Sequence, residues 1–211
     1  MIRVSKNSTV KPLIIIPTRG LNSMQRLRKD VNPKMVDLII DTLLTQTLEV
    51  TTKTDLDILV LTSDRILDLS KFDVTVFYDD GKSLNEAIVN GLKTLDYTNY
   101  LLIMPDLPGM DEPLIEKIIF MNSVFPYIIV PTHDMGTAIA VLPKFVFEQK
   151  LFGPNSASRI IEYCDQNNLP LCVLETQGTN HDLDTVEDLK LWSKTLSKKI
   201  PKIKEIVILN Q

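Results

Sequence analysis

Short, wholly apolar runs recur along the chain, and each is closed by proline, glycine or an acid. Residues 13–16 lie between Pro12 and Pro17, residues 100–104 end at Pro105 and Asp106, and residues 127–130 end at Pro131. Runs of this length bounded by turn residues predict buried strands. Residues 57–62, 74–77, 137–142 and 171–174 predict four more. Between them the apolar spacing turns helical. Asn32 and Pro33 open a helix carrying Met35, Leu38, Ile39, Leu43 and Leu44 to about Thr47. Ser63 and Asp64 read as the cap of a short helix, and Ser83 as the cap of one running through Leu95. Asp111 and Pro113 start another, and the turn at 152–156 supplies an N-cap for a helix through Asn168. Thr185 with Asp188 three residues on is a capping-box variant for a last helix, with Leu189, Trp192 and Leu196 inward, to about Lys199. A turn at 79–81 follows the third strand, and residues 203–209 read as an edge strand or a loosely held tail. Strand and helix in alternation predict one α/β domain, 1–211, with a doubly wound, mostly parallel sheet covered by helices on both faces.

Composition narrows the class. Of 211 residues, 44% are hydrophobic and 24% charged, enough for a sizeable core and too apolar for disorder. A net charge of −4 argues against a general nucleic-acid binder, which would show a basic face. It does not exclude a small anionic substrate, because a pocket can be basic on an acidic protein. Cys164 and Cys172 lie without metal-ligand spacing and read as reduced core thiols of a cytoplasmic protein. No apolar run reaches the roughly 18 residues that span a bilayer, and residues 1–8 lack the apolar centre of a signal peptide. Neither a nucleic-acid nor a membrane partner is expected, and the assembly stays open between monomer and homodimer.

The candidate chemistry starts at Asp106, which ends an apolar strand between Pro105 and Pro108. Ligands of parallel α/β sheets bind outside the carboxyl ends of the strands, where an acid can hold a hard cation such as Mg²⁺; the plainer reading is an Asp that opens a turn. Asp182 and Asp184 alternate around Leu183, so both face one side if the segment is extended. Three gathered carboxylates repel and need a cation, and oxygen-only donors favour Mg²⁺ over zinc. His133 and His181 are the sole histidines; His181 is either a group behind the metal ligands or a structural one. The segment from Pro17 carries Arg19, Arg26, Arg28 and Lys29 directly after the first strand, where phosphates lie in doubly wound folds. It has no Walker or G-x-G-x-x-G pattern, and a solvated basic loop is the alternative. Asn85 falls in the first turn of a helix close to a strand end, where a helix-terminus side chain is the plainer reading. No Ser-His-Asp or Cys-His arrangement has supportive spacing. A cation beside a basic loop implies phosphoryl or nucleotidyl transfer.

The order of segments resembles the 2-phospho-L-lactate guanylyltransferases of coenzyme F420 biosynthesis, within the nucleotide-diphospho-sugar-transferase-like folds. The resemblance rests on Ile16 to Leu21 with Arg26 and Leu27, on Leu84-Asn85-Glu86-Ala87, and on Pro105-Asp106-Leu107-Pro108. It continues with Asp134-Met135-Gly136-Thr137, with Phe152 to Ser156, and with Asp182 to Leu189. It implies that Asp106, Asp182 and Asp184 hold magnesium, and that Arg19, Arg26 and Asn85 serve GTP, with Asp106, Arg19 and Arg26 acting in catalysis. It also implies that Thr137, Gly153 and Ser156 hold a phosphorylated three-carbon acid: 2-phospho-L-lactate, phosphoenolpyruvate or a phosphoglycerate. The acid's phosphate would attack the α-phosphorus of GTP and release pyrophosphate. The chain departs from the family pattern at Arg19 and at Met24-Gln25, where lysines are usual, at Ala138 for asparagine and at Ser83 for glycine. Two further readings stay open: another nucleotidyltransferase or a nucleotide-sugar glycosyltransferase of this fold, and a GTP-binding relative without catalysis.

Overall fold

A computed structural model describes residues 11–79, 82–176, 181–201 and 203. In chain order these form β1 (Leu13–Thr18), a 3-10 turn (Gly20–Asn22), α1 (Leu27–Asp30), α2 (Pro33–Thr51), β2 (Ile58–Thr62), β3 (Thr75–Tyr78) and α3 (Leu84–Gly91). There follow β4 (Asn99–Ile103), α4 (Glu112–Asn122), β5 (Tyr127–Pro131), β6 (Thr137–Pro143), α5 (Lys144–Phe147), α6 (Ser156–Gln166), β7 (Leu171–Val173) and α7 (Val186–Leu196). The seven strands make one sheet in the order β3-β2-β1-β4-β6-β5-β7. Every pairing is parallel except those of β6, which runs antiparallel to both β4 and β5.

The period of two along β1 decides the layers. Ile14 and Ile16 pack with Leu44 and Leu48 of α2 and Ile115 and Ile118 of α4 on one face. Leu13 and Ile15 pack with Ile88 of α3 and Ile160 and Cys164 of α6 on the other. A third cluster joins Leu27 of α1, Ile39 and Leu43 of α2, and Leu189 and Leu196 of α7. The expected doubly wound, mostly parallel sheet is thus present.

Several local expectations are corrected. β1 does not break at Pro17 but continues through Thr18. The β4 ladder on β1 stops at Ile15, so a residue without an N–H is tolerated two positions later. α2 runs past Thr47 to Thr51, where buried threonine hydroxyls bond the carbonyls of the preceding turn. No helix follows Ser63 and Asp64; the buried Asp64 instead accepts the N–H groups of Leu21 and Ile66. α3 stops at Gly91 and α7 at Leu196, short of the expected ends. Asn155 does not cap α6 with its side chain, because it is left-handed with φ 54°. Backbone does that work: the N–H of Ser156 goes to Gly153 and that of Ala157 to Met135. Asp80 and Gly81 of the turn at 79–81, and all of 203–209 beyond Ile203, lie outside the described residues.

Candidate active site

Asp106 sits three residues past the end of β4, and neighbouring elements fix it. Gln46, buried on α2, donates to the carbonyls of Pro108 (3.2 Å) and Met110 (2.6 Å) and so pins the loop that follows the acid. Lys199, beyond α7, donates to the Gln46 amide oxygen at 3.1 Å. The N–H of Leu183 donates to the Asp106 carbonyl at 2.9 Å, which draws Asp182 and Asp184 past Asp106 from the far end of the chain. The capping box of α7 holds that segment, with the Asp188 carboxylate accepting the N–H groups of Asp184 (3.2 Å) and Thr185 (2.8 Å).

The three acids feel one another. Burial, and then the charges of Asp182 and Asp184, push the Asp106 carboxyl up to about 7. Its Oδ1 is buried with no hydrogen-bond partner. Burial, followed by the Asp134 charge, also raises Asp182. Asp184 leans instead on Arg26, at 3.1 Å. A half-buried carboxylate with one buried, orphaned oxygen, beside two more acids, is a deficit of positive charge that a divalent cation fits. A second donor set adjoins it. Donor atoms of His133, Asp134 and Asp182 lie within 4.8 Å of one another, so Asp182 is common to both groupings. Asp134 is held by the Thr132 hydroxyl (2.5 Å) and the Gly136 N–H (3.1 Å), of which the first does most to lower its carboxyl. His181 stacks on His133 with ring centres 4.1 Å apart.

Two cavities meet at these acids. The first, of about 290 Å³, runs between the loop after β1 and α3, and includes Pro17, Arg19, Leu61, Ala87, Asp106 and Asp184 in its wall. Gly20, next to Arg19 in the chain, has φ +54°, and a Cβ there would fall 2.2 Å from the Asp64 carboxylate. The second cavity, of about 590 Å³, is lined by Arg26, Thr137, Gly153, Ser156 and Asp182, and again by Asp106 and Asp184. In it the buried hydroxyls of Thr137 and Ser156 are 2.8 Å apart.

The residues singled out in the sequence therefore divide. Asp106, Asp182, Asp184 and Arg26 come together, Arg19 lies on the first cavity, and Thr137, Gly153 and Ser156 on the second. Asn85 does otherwise: its amide donates to the Phe152 carbonyl (2.7 Å) and accepts the Phe152 N–H (3.0 Å), tying α3 to the turn before α6. Sequence reasoning missed Arg159, whose Nε and Nη2 are buried without partners close behind Gly153. Its position three after Ser156, on the same face of one helix, is the available signal.

Known proteins bear on this geometry. A family model described as "Guanylyl transferase CofC like" matches residues 12–192. The chain is 27% identical over 196 residues to the 2-phospho-L-lactate guanylyltransferase of Methanocaldococcus jannaschii, covering 87% of this chain and 83% of that one. It is 28% identical over 116 residues to the phosphoenolpyruvate guanylyltransferase of Roseiflexus sp. (strain RS-1), 54% of this chain and only about half, 52%, of the relative. A solved structure from Desulfovibrio desulfuricans G20, named only provisionally as a nucleotide-diphospho-sugar transferase, superposes with a TM-score of 0.74 over 95% of both chains. At 16% identity that likeness speaks to the fold alone.

Proposed function

The chain belongs to the CofC-like guanylyl transferase family, and we propose that it moves GMP from GTP onto the phosphate of a three-carbon phospho-acid, 2-phospho-L-lactate or phosphoenolpyruvate, with release of pyrophosphate. Both acceptors appear in the names of its relatives. In this reading it serves coenzyme F420 biosynthesis and uses Mg²⁺. The observation that carries the proposal is the orphaned Oδ1 of Asp106, on a wall common to the two cavities. Guanosine takes the first cavity, whose mainly apolar wall suits a base, and the acid takes the second. The reacting phosphates then meet at Asp106.

A phosphate oxygen of the acceptor attacks the α-phosphorus of GTP. The bond from that phosphorus to the bridging oxygen breaks, and pyrophosphate carries away the electron pair. The attacking oxygen is already anionic, so no protein nucleophile or base is needed. The obstacle is repulsion between two anions, and the chain's part is to offset charge and align the partners. Asp106, Asp182 and Asp184 would hold the Mg²⁺, which offsets charge on the attacking and leaving oxygens. Arg19 faces the triphosphate from the first cavity. Arg26, paired with Asp184 at 3.1 Å on the wall of the second cavity, would offset charge on a phosphate there. Thr137 and Ser156 orient the acid through their hydroxyls, Ser156 at a helix start that favours anions.

The test is pyrophosphate release from GTP against 2-phospho-L-lactate, phosphoenolpyruvate and 3-phosphoglycerate separately. Release should require GTP, Mg²⁺ and one of the acids together. Consumption of a nucleotide sugar without pyrophosphate would instead mark a glycosyltransferase, and binding of GTP without turnover on any acid would mark a non-catalytic relative.

A further inference from the structure

Arg159 lies in the first turn of α6, and its Nε and Nη2 are shut off from solvent with no hydrogen-bond partner. Arg159 is half-buried, and two of its N–H donors are cut off from solvent without an acceptor; donors left so are costly and persist where an anion completes them. The approach lies past Gly153. A Cβ built there would stand 3.4 Å from Nη2, in contact with the guanidinium, and φ at this residue is +125°, a backbone that any residue but glycine would strain to adopt. Gly153 and Ser156 both belong to the wall of the second cavity, and Arg159 stands directly behind that wall. That wall is otherwise rich in carboxylates, with Arg26 the cation among its described lining residues.

We propose that Arg159 binds the carboxylate of the acceptor, entering from the second cavity past Gly153 and Ser156. The inference rests on the acceptor assignment above. The phosphate of the acid must reach Asp106 and the α-phosphorus, on the wall toward the first cavity. In a three-carbon acid the carboxylate then points the other way, toward α6. A carboxylate also matches the planar fork of a guanidinium, which takes two of its oxygens at once.

The experiment compares wild type, Arg159→Gln and Arg159→Lys on 2-phospho-L-lactate and on ethyl phosphate, which keeps the phosphate and lacks the carboxylate. Binding is read in parallel by calorimetry. A charge-assisted bond of this kind makes the expected rise in KM for the phospho-acid about 10- to 100-fold in Arg159→Gln. Arg159→Lys should recover part of the loss, and the KM for GTP should stay put. Ethyl phosphate should be handled equally by wild type and both variants. An unchanged KM for the phospho-acid, or an equal loss on ethyl phosphate, overturns the assignment. A fall in melting temperature of the ligand-free Arg159→Gln protein also counts against it, because removing an unpaired charge should not destabilise. If wild type turns over no acid, but calorimetry finds phospho-acid binding that Arg159→Gln abolishes, the guanylyltransferase reading falls and the Arg159 site stands.

Discussion

Burial and the neighbouring acids make Asp106 easier to protonate than a free carboxyl, and this has consequences of opposite sign for stability and for cation binding. Its carboxyl rises from an ordinary 3.8 to about 7 in the folded chain. Between those values the folded state binds the proton more firmly than the unfolded chain, so stability falls as pH climbs from about 4 to 7. Asp106→Asn mimics the neutral acid. In chelator it should raise the melting temperature at pH 8 and change it little at pH 4, as scanning fluorimetry would report. The same substitution should cut turnover by at least about a hundredfold, because an acid at the reacting phosphates acts where charge develops. Proton and cation also compete for this carboxylate, so Mg²⁺ affinity should drop by up to about tenfold per pH unit below 7. A flat pH profile by calorimetry would exclude Asp106 as a ligand. Arg26 differs in kind, because its pair with Asp184 is largely exposed, with 74% of the arginine side chain open to solvent. Such a pair contributes within about 1 kcal/mol. Arg26→Ala should therefore leave stability nearly unchanged, tighten Mg²⁺ binding by freeing Asp184, and still slow turnover; a large loss in melting temperature would contradict this account.

Among the elements, α3 and the start of α6 are coupled through one side chain. Asn85 satisfies both the N–H and the C=O of Phe152. Asn85→Ala leaves two half-buried backbone groups unpaired and should cost about 1–3 kcal/mol. Because Gly153 follows directly, the KM for the acid should rise more than that for GTP. A rise confined to GTP would return Asn85 to direct nucleotide contact. The resemblance implies a place on the nucleotide for this residue, and no local pattern reveals that its side chain also meets a partner 67 positions away. Elements whose causes are local were legible: apolar runs stopped by Pro105 and Pro131 gave β4 and β5, and Thr185 with Asp188 gave the start of α7. Asp64 was misread because an aspartate after a strand serves as helix cap or loop anchor alike, and Leu21 decides between them from 43 residues away. The reversal of β6 follows from chain length. Five residues separate Pro131 from Thr137, too few for a crossover and enough for a hairpin. Asp106 is legible as an acid that ends an apolar run, and Asp182 and Asp184 as acids that alternate around Leu183 ahead of a helix cap. The unpartnered state of Arg159 is not, since it depends on what fails to lie opposite.

Across the molecule, the two cavities divide between the two halves of the sheet. The first draws on β1, β2 and α3, and the second on the β5–β6 turn, the start of α6 and the segment before α7. What holds the halves in register at the acids is α2, whose Ile39 and Leu43 pack on Leu189 and Leu196 of α7 while Gln46 grips the loop after Asp106. A ligand that bridges the cavities therefore ties together chain segments far apart in sequence and should stabilise the whole fold. At a concentration about 100 times its Kd, a ligand that binds only the folded state adds about 2.7 kcal/mol. For a chain of this size that raises the melting temperature by about 5–11 °C. GTP with Mg²⁺ should reach this range. GTP in chelator should give much less, because its triphosphate then faces Asp106 and Asp184, and Arg19 and Arg26 are the arginines that offset them among the described lining residues. Equal shifts with and without chelator would remove the cation from the binding step and leave the carboxylates without the role given them here.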